Sequence, residues 1–147
     1  YRITHLTGQA DFGRMQSSSK NRFYHPIDYV HTARGMADLF WQADLVISRA
    51  GGTIFELAAM RKPAILIPLP NAGNNHQLAN AEILSGNDAA ILLRQETTKP
   101  EDLLRTIQEL IHNSARREQL ARHIHQFARP DAAKQLARLI LEVARSI

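Results

Sequence analysis

The feature that most constrains this chain is a short apolar run, Ala43-Asp44-Leu45-Val46-Ile47-Ser48, which leads through the glycine pair Gly51-Gly52 into a helical pattern from Thr53 to Arg61. A run of this length bounded by polar residues reads as a strand, and the glycines make room for a tight turn before the helix. The unit then repeats. Lys62-Pro63 ends the helix, because the residue before a proline is pushed out of helical geometry, and Ala64-Ile65-Leu66-Ile67 forms a second apolar run stopped by Pro68-Leu69-Pro70. A polar loop from Asn71 to Asn74 precedes a helix ending near Ser85-Gly86, and Ala89-Ala90-Ile91-Leu92-Leu93 supplies a further strand. Apolar strands that alternate with helices belong in a parallel sheet, so the spacing predicts an α/β, Rossmann-like doubly wound fold.

The flanking segments extend this pattern. Tyr1 to Leu6 alternates as a strand that opens with no lead-in, as if cut on its N-terminal side. A short helix is expected from Asp11 to Lys20, then the polar connection Ser17 to Asn21, then a strand near Tyr24 to Val30 whose pairing Pro26 limits. From Thr98 onward the chain reads as helical, with Thr98, Pro100 and Glu101 as N-cap, early proline and capping glutamate. Leu103, Leu104, Ile107, Leu110 and Ile111 then recur at helical spacing, and Ser114 is expected to cap another helix. The last helix starts at Pro130 or Asp131 and lines up Leu136, Leu139, Ile140, Val143 and Ile147, a stripe expected to pack on its own domain rather than on a membrane.

Composition narrows the functional classes. With 147 residues the expectation is one domain, and no stretch approaches the about 20 apolar residues needed to cross a bilayer. There is no cysteine, hence no disulfide and no thiolate metal site. The formal charge is +4, but Arg105, Arg116, Arg117, Arg122, Arg129, Arg138 and Arg145 alternate with Glu101, Asp102, Glu109, Glu118, Asp131 and Glu142. That mixture describes solvated helix faces and argues against a nucleic-acid partner. His5, His25, His31, His112, His123 and His125 show no helical His-x-x-x-His pair, and no Asp-x-Asp pair occurs, so no metal is expected.

Two segments can carry chemistry. Ser48-Arg49-Ala50-Gly51-Gly52-Thr53-Ile54-Phe55-Glu56-Leu57 sets a glycine pair between a strand and a helix, where backbone N–H groups can meet a phosphate; glycine there reaches positive φ and leaves an anion no Cβ to collide with. A tight turn that binds nothing is the plainer alternative. Glu56 is likewise either the partner of Thr53 in a capping box or a carboxylate able to accept hydrogen bonds from a ribose diol. Asn74-Asn75-His76-Gln77-Leu78-Ala79-Asn80-Ala81 gathers His76, Gln77 and Asn80 within one helical turn. Their amides suit the mixed donors and acceptors of a sugar, while Asn74 as N-cap with Gln77 behind it is the structural alternative. Both segments follow strands, so both belong at the carboxyl edge of the sheet, where open α/β folds bind ligands.

Taken together, Ala43 to Gly52, Glu56-Leu57-Ala58-Ala59, Lys62 to Pro68 and His76-Gln77-x-x-Asn80-Ala81 resemble the C-terminal domain of MurG-type, family 28 glycosyltransferases from about Met36 to Leu93, with a weaker match at His5-Leu6-Thr7-Gly8. The resemblance implies half of a GT-B fold that holds UDP-N-acetylglucosamine for transfer, with inversion, to a lipid-linked N-acetylmuramyl-pentapeptide in peptidoglycan synthesis. It assigns Glu56 to the ribose hydroxyls and the loop from Arg49 through Gly51 and Gly52 to Thr53 to the diphosphate. It assigns His76 and Gln77 to the N-acetylglucosamine, with Asn80 supporting or contacting the same sugar. The stretch Thr32-Ala33-Arg34-Gly35-Met36 aligns with the backbone that recognises uracil, so Ala33 and Met36 join the site.

Departures accompany the match. The interval from Arg49 to Glu56 is one residue shorter than the commonest family form, and the usual Phe-Ile-Asp-like stretch near Ala33 is replaced. The acceptor-binding N-terminal domain, with its general base, and the first Gly-Gly-Ser strand-turn of this domain are expected outside the chain. The chain alone is then expected to be inactive, without cofactor or metal, and the full enzyme cytoplasmic and peripheral on the inner face of the membrane. A related GT-B transferase, a UDP-sugar hydrolase and a non-catalytic nucleotide-binding module remain alternatives.

Overall fold

Among the described residues, one short strand, Ala64–Leu66, has all three of its residues fully buried. The computed structural model describes residues 1–18, 21–70 and 75–145; Ser19, Lys20, Asn71 to Asn74, Ser146 and Ile147 lie outside the described residues. The chain divides into two compact units, Tyr1–Gln42 and Ala43–Ile147.

In the first unit, β1 (Ile3–Leu6) and β2 (Tyr24–Ile27) pair in parallel with Ile3 opposite Tyr24 and Leu6 opposite Ile27. Helix α1 (Gln9–Ser18) connects them, and the turn out of β1 depends on Gly8, which sits at φ +74°, a conformation that L side chains resist. Strand β2 stops at Ile27 instead of running to Val30. Beyond it the Asp28 carboxylate accepts a hydrogen bond from Tyr29 N at 2.7 Å, a local bond that competes with a ladder. Helix α2 (Ala33–Gln42) follows, which the hydrophobic pattern had not disclosed. The Thr32 hydroxyl caps it, accepting from Gly35 N at 3.0 Å, and the glycine sits in a tight place: a Cβ there would lie 3.0 Å from Val30 Cγ1.

In the second unit, β3 (Val46–Ser48), β4 (Ala64–Leu66) and β5 (Ile91–Leu92) form a parallel sheet in that order. Ile47 lies opposite Ile65, and Ile65 opposite Ile91. Helices α3 (Thr53–Ala59) and α4 (His76–Gly86) make the connections, so the predicted α/β fold with parallel strands and alternating helices is the one observed. Not every strand residue is buried. Ile47 keeps 46% of its surface exposed, because β3 is the outer strand of its sheet and has a neighbour on one side.

Both connecting helices end in the same way. Arg61 (φ 54°) and Asp88 (φ 55°) turn left-handed, while Lys62 N reaches back to Leu57 O and Ala89 N to Leu84 O. These backward bonds satisfy carbonyls that the helix leaves open, and they explain why α3 ends at Ala59 and not at Arg61. On the helical side, α3 packs on α6 (Ser114–His125), α4 on β5, and α5 (Pro100–His112) on α6. Ile65, Leu110 and Leu120 form the centre of this core, with Leu45, Ile67, Ile91, Leu93, Leu103 and Ile107 packed around them.

The expected caps shift by one residue. Lys99, not Thr98, precedes α5, and the Asp102 carboxylate, not Glu101, accepts from Lys99 N at 3.2 Å; Thr98 N is already committed to Arg94 O. Asn113, not Ser114, caps α6 by accepting from Arg116 N at 2.9 Å. Helix α7 (Ala132–Arg145) corrects the expectation of core packing: none of its residues is buried, and Leu139 and Ile140 are more than half exposed. Its apolar stripe is uncovered among the described residues.

One polar node ties the α4–β5 turn to α6. Asp88 accepts from Arg116 through both guanidinium nitrogens, at 2.7 and 2.6 Å, and from Gln119 Nε2 at 2.8 Å, while His123 Nδ1 meets Asp88 O at 3.1 Å. His125 Nδ1 similarly meets Ala58 O at 3.0 Å, so these two histidines hold α6 in place. The hydrogen-bonded Arg116 guanidinium keeps the Asp88 carboxyl below its ordinary range.

Two outcomes follow. Ile65→Ala should cost about 2–5 kcal/mol in urea unfolding, because a fully buried side chain at the centre of the sheet leaves a cavity; a cost under about 1 kcal/mol would contradict this core assignment. Since the folded pKa of Asp88 is lowered, its contribution is complete above the unfolded pKa and lost as pH falls through the folded value. Urea titrations across acidic pH should therefore show the stability gap between the parent and Asp88→Asn closing toward low pH, and a pH-independent gap would refute the assignment.

Candidate functional site

The carboxyl ends of β3, β4 and β5 meet along one edge, and the two segments singled out in the sequence both leave from it. From β3 the chain runs through Arg49 and Ala50 into the glycine pair. Ala50 is fully buried, whereas Gly52 is exposed and Gly51 half-buried. Neither glycine adopts a positive φ, so the expected left-handed turn is corrected: Gly52 has φ −56° and ψ −27° and is already the N-cap of α3. What the pair provides is space. A Cβ built on either glycine would meet nothing within 4 Å.

The helix start also decides between the two readings of Glu56. Thr53 is the first helical residue and not the cap, and no side chain caps α3. Its first turn is closed by Ile54 N to Gly51 O at 3.2 Å and Phe55 N to Gly52 O at 3.1 Å. A capping box is therefore not formed. Among the described residues the Glu56 carboxylate has no hydrogen-bond or ion-pair partner, and the residue is exposed one turn into the helix.

The second segment is built differently. Asn75, left-handed at φ 59°, precedes α4 and makes no side-chain capping hydrogen bond; the expected cap Asn74 lies outside the described residues. His76 begins α4 and is exposed. Gln77 is the second helical residue, and its Oε1 accepts from Leu69 N at 2.9 Å, fixing the loop after β4. Asn80, one turn further, donates from Nδ2 to Ala50 O at 3.0 Å. That bond joins α4 to the residue immediately before the glycine pair, so the structure brings the two segments together.

Arg49 is held too. Its Nη1 donates to Ile67 O at 2.9 Å and to Gln95 Oε1 at 2.6 Å, linking the exits of all three strands. Gln95 was not singled out in the sequence. Its only signal was position, as a polar residue just past the third apolar run. Ala33 and Met36 belong to the other unit, where they lie in the first turn of α2: Ala33 is exposed, and half-buried Met36 donates from its backbone N to Thr32 O at 3.1 Å. The arrangement at the sheet edge thus offers a free carboxylate, an uncovered glycine turn and an anchored guanidinium, a set that suits a polyhydroxylated anion.

The chain is similar to known proteins along nearly its whole length. Residues 1–136 match the family model described as the glycosyltransferase family 28 C-terminal domain. The chain is 34% identical over 145 residues to the UDP-N-acetylglucosamine--N-acetylmuramyl-(pentapeptide) pyrophosphoryl-undecaprenol N-acetylglucosamine transferase of Symbiobacterium thermophilum, covering 98% of this chain and 38% of that protein. It is 39% identical over 142 residues to the protein of the same description from Trichodesmium erythraeum, covering 96% and 37%. Among solved structures, that of Acinetobacter baumannii MurG superposes with a TM-score of 0.81 at 29% identity, over 96% of this chain and 41% of that one. The chain therefore spans less than half the length of these relatives.

Removing the Asn80 amide should loosen this edge without unfolding the domain. Asn80→Ala is expected to cost about 1 kcal/mol in chemical denaturation, the usual net worth of one hydrogen bond, and to speed amide exchange at Ile54 and Phe55; unchanged exchange there would mean that α4 does not brace the turn.

Proposed function

Because the chain belongs to the glycosyltransferase family 28 C-terminal domain family, we propose that it is the donor-binding domain of an inverting N-acetylglucosaminyltransferase acting in peptidoglycan synthesis. The domain holds UDP-N-acetylglucosamine while the sugar passes to a lipid-linked N-acetylmuramyl-pentapeptide. The observation that carries this reading is Glu56: an exposed carboxylate on the first turn of α3, free of any partner among the described residues, next to an unobstructed glycine turn. A free carboxylate accepts hydrogen bonds and donates none, which matches the vicinal hydroxyls of a ribose.

In this reading the turn from Arg49 through Gly51, Gly52 and Thr53 faces the diphosphate, where a bulkier residue would keep phosphate oxygens from the backbone. His76 and Gln77 face the N-acetylglucosamine. Gln77 Oε1 is committed to Leu69 N, which leaves its Nε2 as the donor for a sugar hydroxyl. Asn80 supports the site by fixing Ala50.

The reaction forms a bond from an acceptor hydroxyl oxygen to the anomeric carbon as the bond from that carbon to the diphosphate breaks. The electron pair leaves with UDP, and the hydroxyl proton passes to a base expected in an N-terminal domain. What this domain contributes is stabilisation of the departing diphosphate by groups already oriented before reaction. The chain alone then binds donor without transferring sugar. The complete enzyme is read as peripheral on the inner face of the membrane; among the described residues no helix is long and apolar enough to cross one.

Calorimetry with UDP and UDP-N-acetylglucosamine tests the proposal. Both should bind, and Glu56→Ala should weaken them by about tenfold or more, the worth of hydrogen bonds to a charged group. Absence of binding by the parent chain would sink the donor reading. Tighter binding of another nucleotide sugar would point to a related transferase, and release of UDP without acceptor to a hydrolase.

A further inference from the structure

Arg49 stands at the entrance to the glycine turn, and an exposed arginine left to itself samples many rotamers. Here it does not. Nη1 bridges the backbone oxygen of Ile67, at 2.9 Å, and the side-chain oxygen of Gln95, at 2.6 Å. Ile67 O is part of the main chain and would be present with any residue at that position. Gln95 is the only side chain among the described residues that bonds the Arg49 guanidinium. The same stretch is held at two further points, since Ser48 Oγ donates to Arg49 O at 2.9 Å and Asn80 Nδ2 to Ala50 O at 3.0 Å. Side chains from β3, from α4 and from the exit of β5 thus hold residues 49 and 50, immediately before the glycine pair.

The chemistry of the third contact is particular. A carboxylate at position 95 would hold a guanidinium at least as firmly, because ionised acceptors make the stronger bond. It would also cancel the positive charge that the turn can present to an anion. An amide oxygen orients Arg49 and leaves its charge intact. Glutamine is therefore the acceptor that a site for a diphosphate calls for, and Nε and Nη2 of Arg49 have no partner among the described residues.

We propose that Gln95 is a positioning residue of the donor site: without touching the nucleotide sugar, it fixes the Arg49 guanidinium, and with it the approach to the β3–α3 turn, while keeping that charge available to the diphosphate. The inference rests on the donor-binding reading given above. Its energetic basis is preorganisation, in which order supplied by the protein before binding is not taken from the affinity.

The test uses this chain, its variants Gln95→Ala, Gln95→Glu and Arg49→Ala, and the double variant Arg49→Ala/Gln95→Ala. UDP affinity is measured by calorimetry, and order in the turn by amide exchange at Ile54 and Phe55. Gln95→Ala should weaken UDP by about three- to tenfold, the scale of one hydrogen bond, and speed the exchange. Gln95→Glu should keep the slow exchange of the parent yet bind UDP about as weakly as the alanine variant, with the deficit shrinking at high salt. In the Arg49→Ala background, Gln95→Ala should have no further effect, since two residues that act through one contact are not additive.

A Gln95→Ala chain that binds UDP and exchanges like the parent overturns the proposal, as does a Gln95 effect that survives intact without Arg49. A Gln95→Glu chain that binds as well as the parent overturns the charge-preserving role. These failures leave parental UDP binding and its sensitivity to Glu56 in place; a parent chain that binds no UDP overturns the donor reading and this inference together.

Discussion

Complete burial of Ala64, Ile65 and Leu66 is the constraint from which the rest of the second unit follows. A strand with no exposed residue must be covered on both faces and paired on both edges. It therefore recruits β3 on one side and β5 on the other, both parallel, with helices returning the chain between them. Parallel register has a functional consequence. It brings the exits of the three strands to one edge, so that residues distant in sequence, Arg49, Ile67 and Gln95, come within hydrogen-bonding distance. The site is a product of strand direction before it is a product of any particular side chain.

At that edge the polar residues divide their labour. Gln77, Asn80 and Gln95 spend hydrogen-bonding capacity on the protein itself, on Leu69, Ala50 and Arg49 respectively. Glu56 spends none. This is the pattern expected of a preorganised binding site, in which a braced frame presents a few unsatisfied groups. An unpaired carboxylate is tolerable because it is exposed; buried, the same group would be costly. Away from the edge, the Asp88 node and the His125 contact fasten α6 across the ends of α3 and α4, so the helices that carry the site are anchored at the end opposite to it.

Helix α7 stands apart from this economy. Its apolar residues recur at helical spacing, yet none is buried. Glu56, whose carboxylate has no partner among the described residues, and the open glycine turn lie within the stretch that matches the family model.

The sequence by itself determined the alternation of strand and helix from Ala43 to Leu93, the parallel class of the sheet, and which two segments leave its carboxyl edge. Those features rest on short-range properties, the period of apolar residues and the stop signals at Lys62-Pro63 and Ser85-Gly86, which neighbouring residues impose whatever surrounds them. It did not reveal α2, whose start depends on a Thr32 cap with a glycine in place of the usual acid, nor the one-residue shifts of the caps at Lys99 and Asn113. Tertiary structure alone decided that Glu56 is free instead of capping α3, that the glycine pair offers room instead of left-handed geometry, and that Asn80 and Gln95 brace the turn. Each depends on which atoms from elsewhere in the chain fall within about 3 Å of a polar group, and spacing along the sequence carries no record of that distance.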